Sequence, residues 1–224
     1  MHFKKTCIVQ LLLLFVFFYS FGQKHRKLND FPRKDIFYHA GVNKATARFN
    51  YIQIAQKLDV PSPGALLESI TLNRLILSIS DVHFNETKFR LGIYNKDDQT
   101  GGPGKELNTQ IIEVKNKSSA NIEVDLKPYK IELAAGDFFV AITYIKDSYN
   151  ERLTKMSEDS IILKNTMAEP FRFVASYQPF IAMSPVKGGE VKTWARETSG
   201  KWVIYDYFAP ELTDFAISAK ILMR

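Results

Sequence analysis

The stretch "KFRLGIYNKDDQTGGPGKEL", Lys88–Leu107, decides the fold. Phe89, Leu91 and Ile93 alternate with Lys88, Arg90 and Gly92, and a period of two is the mark of a strand with one buried face. The following run packs Asp97, Asp98, Gly101, Gly102, Pro103 and Gly104 together before Leu107. A phosphate-binding loop needs Gly, four residues, then Gly-Lys and a hydroxyl. Here Gln99 stands at the first position and Glu106 at the last, and a second strand rather than a helix follows. Asp97 and Asp98 are weak candidates for a calcium site, but the alternating acid spacing of such loops is absent. Adjacent acids before glycine and proline are turn formers. The loop is therefore expected to turn the chain, with no metal or cofactor.

Outward from this hairpin the β pattern continues. Ile122, Val124 and Leu126 alternate with Asn121, Glu123 and Asp125, and Phe215, Ile217, Ala219, Ile221 and Met223 share one side near the carboxyl end. "DFFVAITYI", Asp137–Ile145, is apolar on both parities, as in a central strand covered on both faces. Further strands are expected at Tyr51–Leu58, Ser69–Ser80, Ile111–Lys115, Ser160–Lys164 and Phe171–Tyr177, and a short helix at Asn150–Glu158. Turn signals separate them at Pro61–Gly64, Gly101–Gly104, Lys127-Pro128 and Gly188-Gly189. About ten short strands with regular turns predict an all-β fold, a single antiparallel β-sandwich.

The amino terminus has the three-part layout of a secretory signal peptide. Lys4 and Lys5 precede an apolar stretch from Ile8 to Tyr19, and Ser20-Phe21-Gly22 follows. That stretch falls short of the roughly 20 residues needed to span a membrane. Residues 1–22 are read as the signal, 23–48 as a basic leader segment and 49–224 as the sandwich domain. Removing 22 of the 224 residues, with Lys4 and Lys5 among the 30 basic side chains, leaves 202 residues carrying 28 Lys plus Arg against 24 Asp plus Glu. The single cysteine, Cys7, leaves with the signal, so no disulfide staples the fold and no cysteine is placed to carry a lipoprotein anchor. A chain of this length buries about 70% of its unfolded surface, enough for a packed core. The expected location is outside the cytoplasm: periplasm, cell surface or secreted, with no membrane span after cleavage.

The basic excess is scattered among acids except at Lys24-His25-Arg26-Lys27, a cluster of the kind that touches anionic lipid or polysaccharide but read here as a solvated, disordered end. Nucleic-acid binding is not supported.

A resemblance covers about residues 50–224. "KFRLGIYNKDDQTGGPGKEL", "IIEVKNKSSANIEVDLKPYKIELAAGDFFVAITYI", "SGKW" and "DFAISAKI" resemble a family of exported Gram-negative jelly-roll domains often found beside carboxypeptidase-regulatory-like β-domains. The resemblance implies a jelly-roll sandwich and no particular activity. Ala141 stands where that family prefers glycine, and Thr143-Tyr144 replaces an acid and a tryptophan.

Catalytic candidates are few. His25, His39 and His83 lack zinc-ligand spacing, and no Gly-x-Ser-x-Gly elbow is present. Glu113, Glu123 and Asp125 fall on polar strand faces and would serve a glycosidase only as a pair in a cleft. The aromatic hairpin "TWARETSGKWVIYDYF" favours binding. A turn centred on Ser199-Gly200 pairs Glu197 with Trp202 and Trp194 with Tyr205, which puts the tryptophans on opposite faces. Trp202 then reads as core beside Ala195 and Ile204. Trp194, Arg196 and Tyr205 become the ligand-binding candidates, unless they form an apolar layer beneath the leader. The expected function is a non-catalytic exported module for envelope or extracellular glycan. The alternative is a structural or assembly component of the envelope acting through protein contacts, and an exported hydrolase ranks third. The partner expected is thus a polysaccharide or an envelope protein.

Overall fold

The computed structural model describes residues 24–43, 50–76, 85–155, 173–186, 189–206 and 212–223. The signal-peptide reading of 1–22, His83 and the strand expected at Ser160–Lys164 lie outside them.

The described residues form an all-β antiparallel sandwich of sixteen strands in three sheets. The seven-stranded sheet contains β3 (Tyr51–Val60), β5 (Thr87–Lys96), β6 (Pro103–Glu106), β7 (Ile112–Lys117), β10 (Gly136–Tyr144), β13 (Thr193–Glu197) and β14 (Trp202–Ile204). Its order is β14-β13-β3-β10-β5-β6, with β7 also on β5. The five-stranded sheet runs β1 (Lys24–Leu28), β16 (Ile217–Met223), β4 (Ala65–Asn73) and β8 (Asn121–Asp125), with β9 (Glu132–Leu133) also on β4. In the four-stranded sheet β12 (Phe173–Pro185) pairs with β2 (Tyr38–Asn43), β11 (Glu151–Lys155) and β15 (Thr213–Phe215).

The two smaller sheets meet end to end. β15 passes into β16 at Ala216, whose amide donates to Ala182 O at 2.7 Å while its carbonyl accepts from Asn73 N at 3.0 Å. An isolated bridge joins Arg74 to Ile181 at the same junction. Arg74 is 4% exposed there, and its guanidinium donates to the carbonyls of Asn85, Lys117 and Ser119 and to Gln178 Oε1. Burial lowers its pKa to about 10, so it stays charged at neutral pH on bonds to neutral acceptors.

The core fills the space between the layers. Ile54, Phe89, Leu91, Ile93, Val140 and Ile142 come from the seven-stranded sheet and Ile70, Leu72, Ile122, Ile217 and Ile221 from the five-stranded one, all 2% exposed or less. Each set keeps one parity on its strand, as the alternation predicts.

Two expectations are corrected. Lys24–Leu28 is not a disordered end but an edge strand on β16, registered from Lys24 opposite Met223 to Leu28 opposite Ala219. Leu28 reaches the core and Asn29 Nδ2 donates to Ile217 O at 2.8 Å, which fixes the segment despite its four polar residues. With β2 paired to β12, the leader belongs to the sheets rather than lying over them. Glu151–Lys155 is a strand on β12 and not part of a helix. Asn150 ends the preceding turn, and its side chain bonds Lys88 N and O and Ile145 O at 2.7–3.0 Å, tying the chain to β5 in extended geometry.

Candidate functional site

The outer face of the seven-stranded sheet departs from the usual polar surface. In β13 and β14 the register pairs Trp194 with Ile204, Ala195 with Val203 and Arg196 with Trp202. Glu197 N donates to Lys201 O and Gly200 N to Glu197 O, both at 2.9 Å, so the loop has three residues, Thr198–Gly200, with Gly200 at φ 88°. Such a loop, a turn followed by a left-handed glycine, changes the pairing by one residue relative to a two-residue turn. A one-residue change flips the partner strand's faces. The expected separation of the tryptophans is therefore corrected: Trp194, Arg196 and Trp202 share the outer face. Tyr205 is not with them. It is 6% exposed in the core, 5.1 Å from Phe215 and 5.9 Å from Tyr51 between ring centroids.

Beneath the tryptophans the sheet is built of small residues. Trp194 lies opposite Ala55, Ala55 opposite Ala141, and Ala141 opposite Gly92. That row leaves room for rings to lie over the sheet. A Cβ on Gly92 would meet Tyr94 Cε2 at 2.6 Å. Phe139, fully buried, meets Trp194 edge to face at 6.3 Å, and Tyr94 meets Trp202 likewise at 5.8 Å. Ala55, Tyr94, Phe139 and Ala141 form a small apolar cluster with both tryptophans packed on it, separate from the main core.

Polar groups border these rings. Arg196 Nε donates to Gly200 O at 2.8 Å and Nη1 to Gln53 Oε1 at 3.1 Å, with the guanidinium 5.9 Å from the Trp202 centroid. Gln53 Nε2 donates to Thr143 Oγ1 at 2.6 Å and Tyr94 Oη at 3.2 Å. Burial pushes the Tyr94 phenol above its usual pKa, against the Gln53 bond, so it stays neutral.

The glycine loop takes part in this layer. A Cβ on Gly102 would lie 2.7–3.0 Å from three consecutive atoms of the Trp194 benzo ring, so the loop backbone rests on that ring. The cover over Trp194 is thus Gly102, not the leader. Asp97 Oδ1 accepts from Gln99 N, Thr100 N and Thr100 Oγ1 at 2.8–3.1 Å. The Thr100 amide and hydroxyl hold the Asp97 carboxyl below its usual range. The carboxylate shapes the turn, and among the described residues no three metal-ligating side chains converge, at Asp98 or elsewhere.

Of the carboxylates considered for hydrolysis, Glu113 lies on a different sheet from Glu123 and Asp125, which sit two residues apart on β8. Glu113 sits on the seven-stranded sheet, bonded to Lys115 at 2.8 Å and near Arg90 at 3.5 Å, and these bonds lower its pKa. Glu123 and Asp125 lie on the five-stranded sheet and accept from Ser69 Oγ and Lys127 N. Reading the sequence missed Trp202, Gln53 and Tyr94 as outer-face residues. The signal for Trp202 was Gly200 itself, the third residue of a Thr-Ser-Gly loop.

No helix among the described residues is long and apolar enough to cross a membrane. No family model matches the chain, and no curated protein matches it. Among solved structures it is similar to the cysteine protease and lectin-like domains of Cwp84, a surface layer associated protein of Clostridium difficile, at 14% identity and a TM-score of 0.46. The match spans 87% of this chain and 37% of that one. A clostridial Cwp84 cysteine protease variant after propeptide cleavage is matched at 13% identity and a TM-score of 0.46, over 87% of this chain and 42% of that one.

Proposed function

We propose that this protein is an exported, non-catalytic β-sandwich that binds glycan on the outer face of its seven-stranded sheet, at Trp202 and Arg196 with Trp194 beside them. The observation that carries the reading is the register of β13 and β14. It brings two partly buried indoles and a guanidinium, already oriented by Gly200 O and Gln53, onto one outward face. Indole faces stack on pyranose C–H groups, and Arg196 and Thr143, held in place by Gln53, supply hydrogen bonds for hydroxyls. Because Gly102 rests on Trp194, Trp202 is the leading contact. The test is affinity electrophoresis and calorimetry with neutral glucans, mannans and galactans. The expected result is saturable binding to at least one, weakened about tenfold or more by Trp202→Ala with the fold retained. Absence of binding across the panel by the folded protein overturns the glycan reading and favours envelope-protein contacts, for which exposed Ile204, opposite Trp194, supplies an apolar contact.

A further inference from the structure

Arg196 is an outward cation of the seven-stranded sheet that its own chain leaves without an acid. β3 and β5 carry Lys57, Lys88, Arg90 and Lys96, and each of these has a carboxylate partner. Lys57 pairs with Glu190 and Asp137, Lys88 with Asp147, Arg90 with Glu113 and Lys96 with Asp137. Arg196, the cation of β13 and β14, forms no ion pair among the described residues. Glu197 beside it on the chain and Glu106 opposite Tyr94 accept instead from Ser199 Oγ at 3.1 Å and Asn108 Nδ2 at 2.8 Å.

The guanidinium is nonetheless fixed in place. Gly200 O and Gln53 Oε1, both neutral, accept from its Nε and Nη1, and the centroid of the Trp202 ring lies 5.9 Å away. Those bonds use two of the five N–H donors of an arginine, and Nη2 donates to no group among the described residues. A half-buried cation oriented only by neutral acceptors keeps its whole charge for a ligand. Its planar fork matches a carboxylate and, being preset, loses less freedom on binding than a lysine would.

We infer that the glycan bound on this face is acidic, a uronic-acid polymer whose carboxylate meets Arg196 while its ring rests against Trp202. The inference rests on the glycan reading above and names the class of sugar. The register lays out a path for such a chain across the strands. Trp202, Arg196, Gln53 and Thr143 stand opposite one another on β14, β13, β3 and β10, with successive strands about 4.8 Å apart. Thr143 Oγ1 accepts from Gln53 Nε2 at 2.6 Å and keeps its own proton to donate to a sugar hydroxyl. The row continues to Arg90, opposite Thr143, where Glu113 supplies the acid, so the unmet charge lies at the Trp202 end.

The experiment uses the protein expressed from its full coding sequence in a Gram-negative host and purified after export. Calorimetry compares glucuronan, mannuronan and polygalacturonate with their carboxyl-reduced forms, a glucan, a mannan and a galactan of the same linkages. For at least one backbone the uronate form is expected to bind at least about tenfold tighter than its neutral counterpart, the gain of a charge-assisted contact. In 1 M salt that preference is expected to shrink, since charges are then screened within about 3 Å, while neutral binding persists. Arg196→Gln is expected to bring the two forms level, and Trp202→Ala to weaken both. Three results overturn the inference and leave the glycan reading standing: neutral forms that bind as tightly as the uronates, a preference that 1 M salt leaves untouched, or a folded Arg196→Gln protein that keeps the preference. Absence of binding to every polymer in either form overturns the glycan reading itself and this inference with it. If Arg196→Gln does not fold, the charged and neutral forms compared on the unaltered protein, with their salt dependence, still decide.

Discussion

The outer faces of the seven-stranded and five-stranded sheets share the same pleat and carry opposite chemistry. One presents Tyr94, Phe139, Trp194 and Trp202 over Ala55, Ala141 and Gly92; the other presents Ser69, Thr71, Ser218, Lys27 and Lys220. An antiparallel sheet needs only one apolar face to hold a sandwich together, and the five-stranded sheet follows that economy. The seven-stranded sheet adds a second, thin apolar layer that its own loop partly covers. The comparison teaches that an outward position on a strand does not by itself make a side chain dispensable.

The sharpest way to break this comparison is truncation on both faces. Phe139→Ala removes a fully buried ring from the outer layer and is expected to cost about 3–5 kcal/mol, as in a main core. Thr71→Ala, an outward position opposite Ser218 and Glu123, is expected to change stability by no more than about 0.5 kcal/mol. Urea denaturation of the two variants measures both. Similar costs would show that the aromatic layer is surface and not core.

The next effect probes the cover over Trp194. Gly102→Val places a Cβ within 3.0 Å of three indole atoms, and relief requires the ring or the loop to move. A loss of about 1–3 kcal/mol is expected, with a red shift of tryptophan emission as the indole is uncovered. An unchanged spectrum at unchanged stability would remove the loop from the layer.

These contrasts also mark what could be read from residues alone. Alternation at Phe89–Ile93 and Ile122–Val124 located strands because each buries one face, and the two-sided run at Phe138–Ile142 announced the outer layer, with Phe139 and Ala141 buried on the face opposite Val140. Lys24–Leu28 carried no such signal. Four polar residues have no apolar period, and backbone pairing with β16, with Leu28 and Asn29 fixing the end of the segment, makes them a strand. The binding face was half legible: Trp194 and Arg196 were placed outward, but register depends on loop length, and one extra residue at Gly200 exchanged Tyr205 for Trp202. The meeting of Lys27 and Lys220 was out of reach, since they are brought together only by joining the two ends of the chain.

The smallest effect sets one carboxyl from each side of the comparison against the other. Glu68 belongs to the five-stranded sheet; Asp214, on β15, faces β3 of the seven-stranded sheet, where Gln56 Nε2 donates to its Oδ1 at 3.1 Å. Burial pushes Asp214 above its ordinary value near 3.8, and the Gln56 bond with Lys192 and Lys57 only partly offsets that. Burial also pushes Glu68 upward, but the His25 bond and the charges of His25, Lys220 and Lys127 outweigh it and hold the group below 4.5. The signs of linkage are therefore opposite. Glu68 contributes stability above pH 4.5 and loses it as pH falls through its lower folded value. Asp214 costs stability above its raised folded value, and that cost fades as pH falls toward 3.8. Asp214→Asn, which keeps the acceptor for Gln56, is expected to raise stability at pH 7 by about 1 kcal/mol, with the gain shrinking toward pH 4. Glu68→Gln is expected to lower it at pH 7 by less than about 1 kcal/mol, with the deficit closing in acid. Urea midpoints at both pH values decide it. If Glu68→Gln raises stability at pH 7 as Asp214→Asn does, the bond to His25 does not outweigh the burial of Glu68, and the basic strand is anchored by its backbone pairing, Leu28 and Asn29 without help from Glu68.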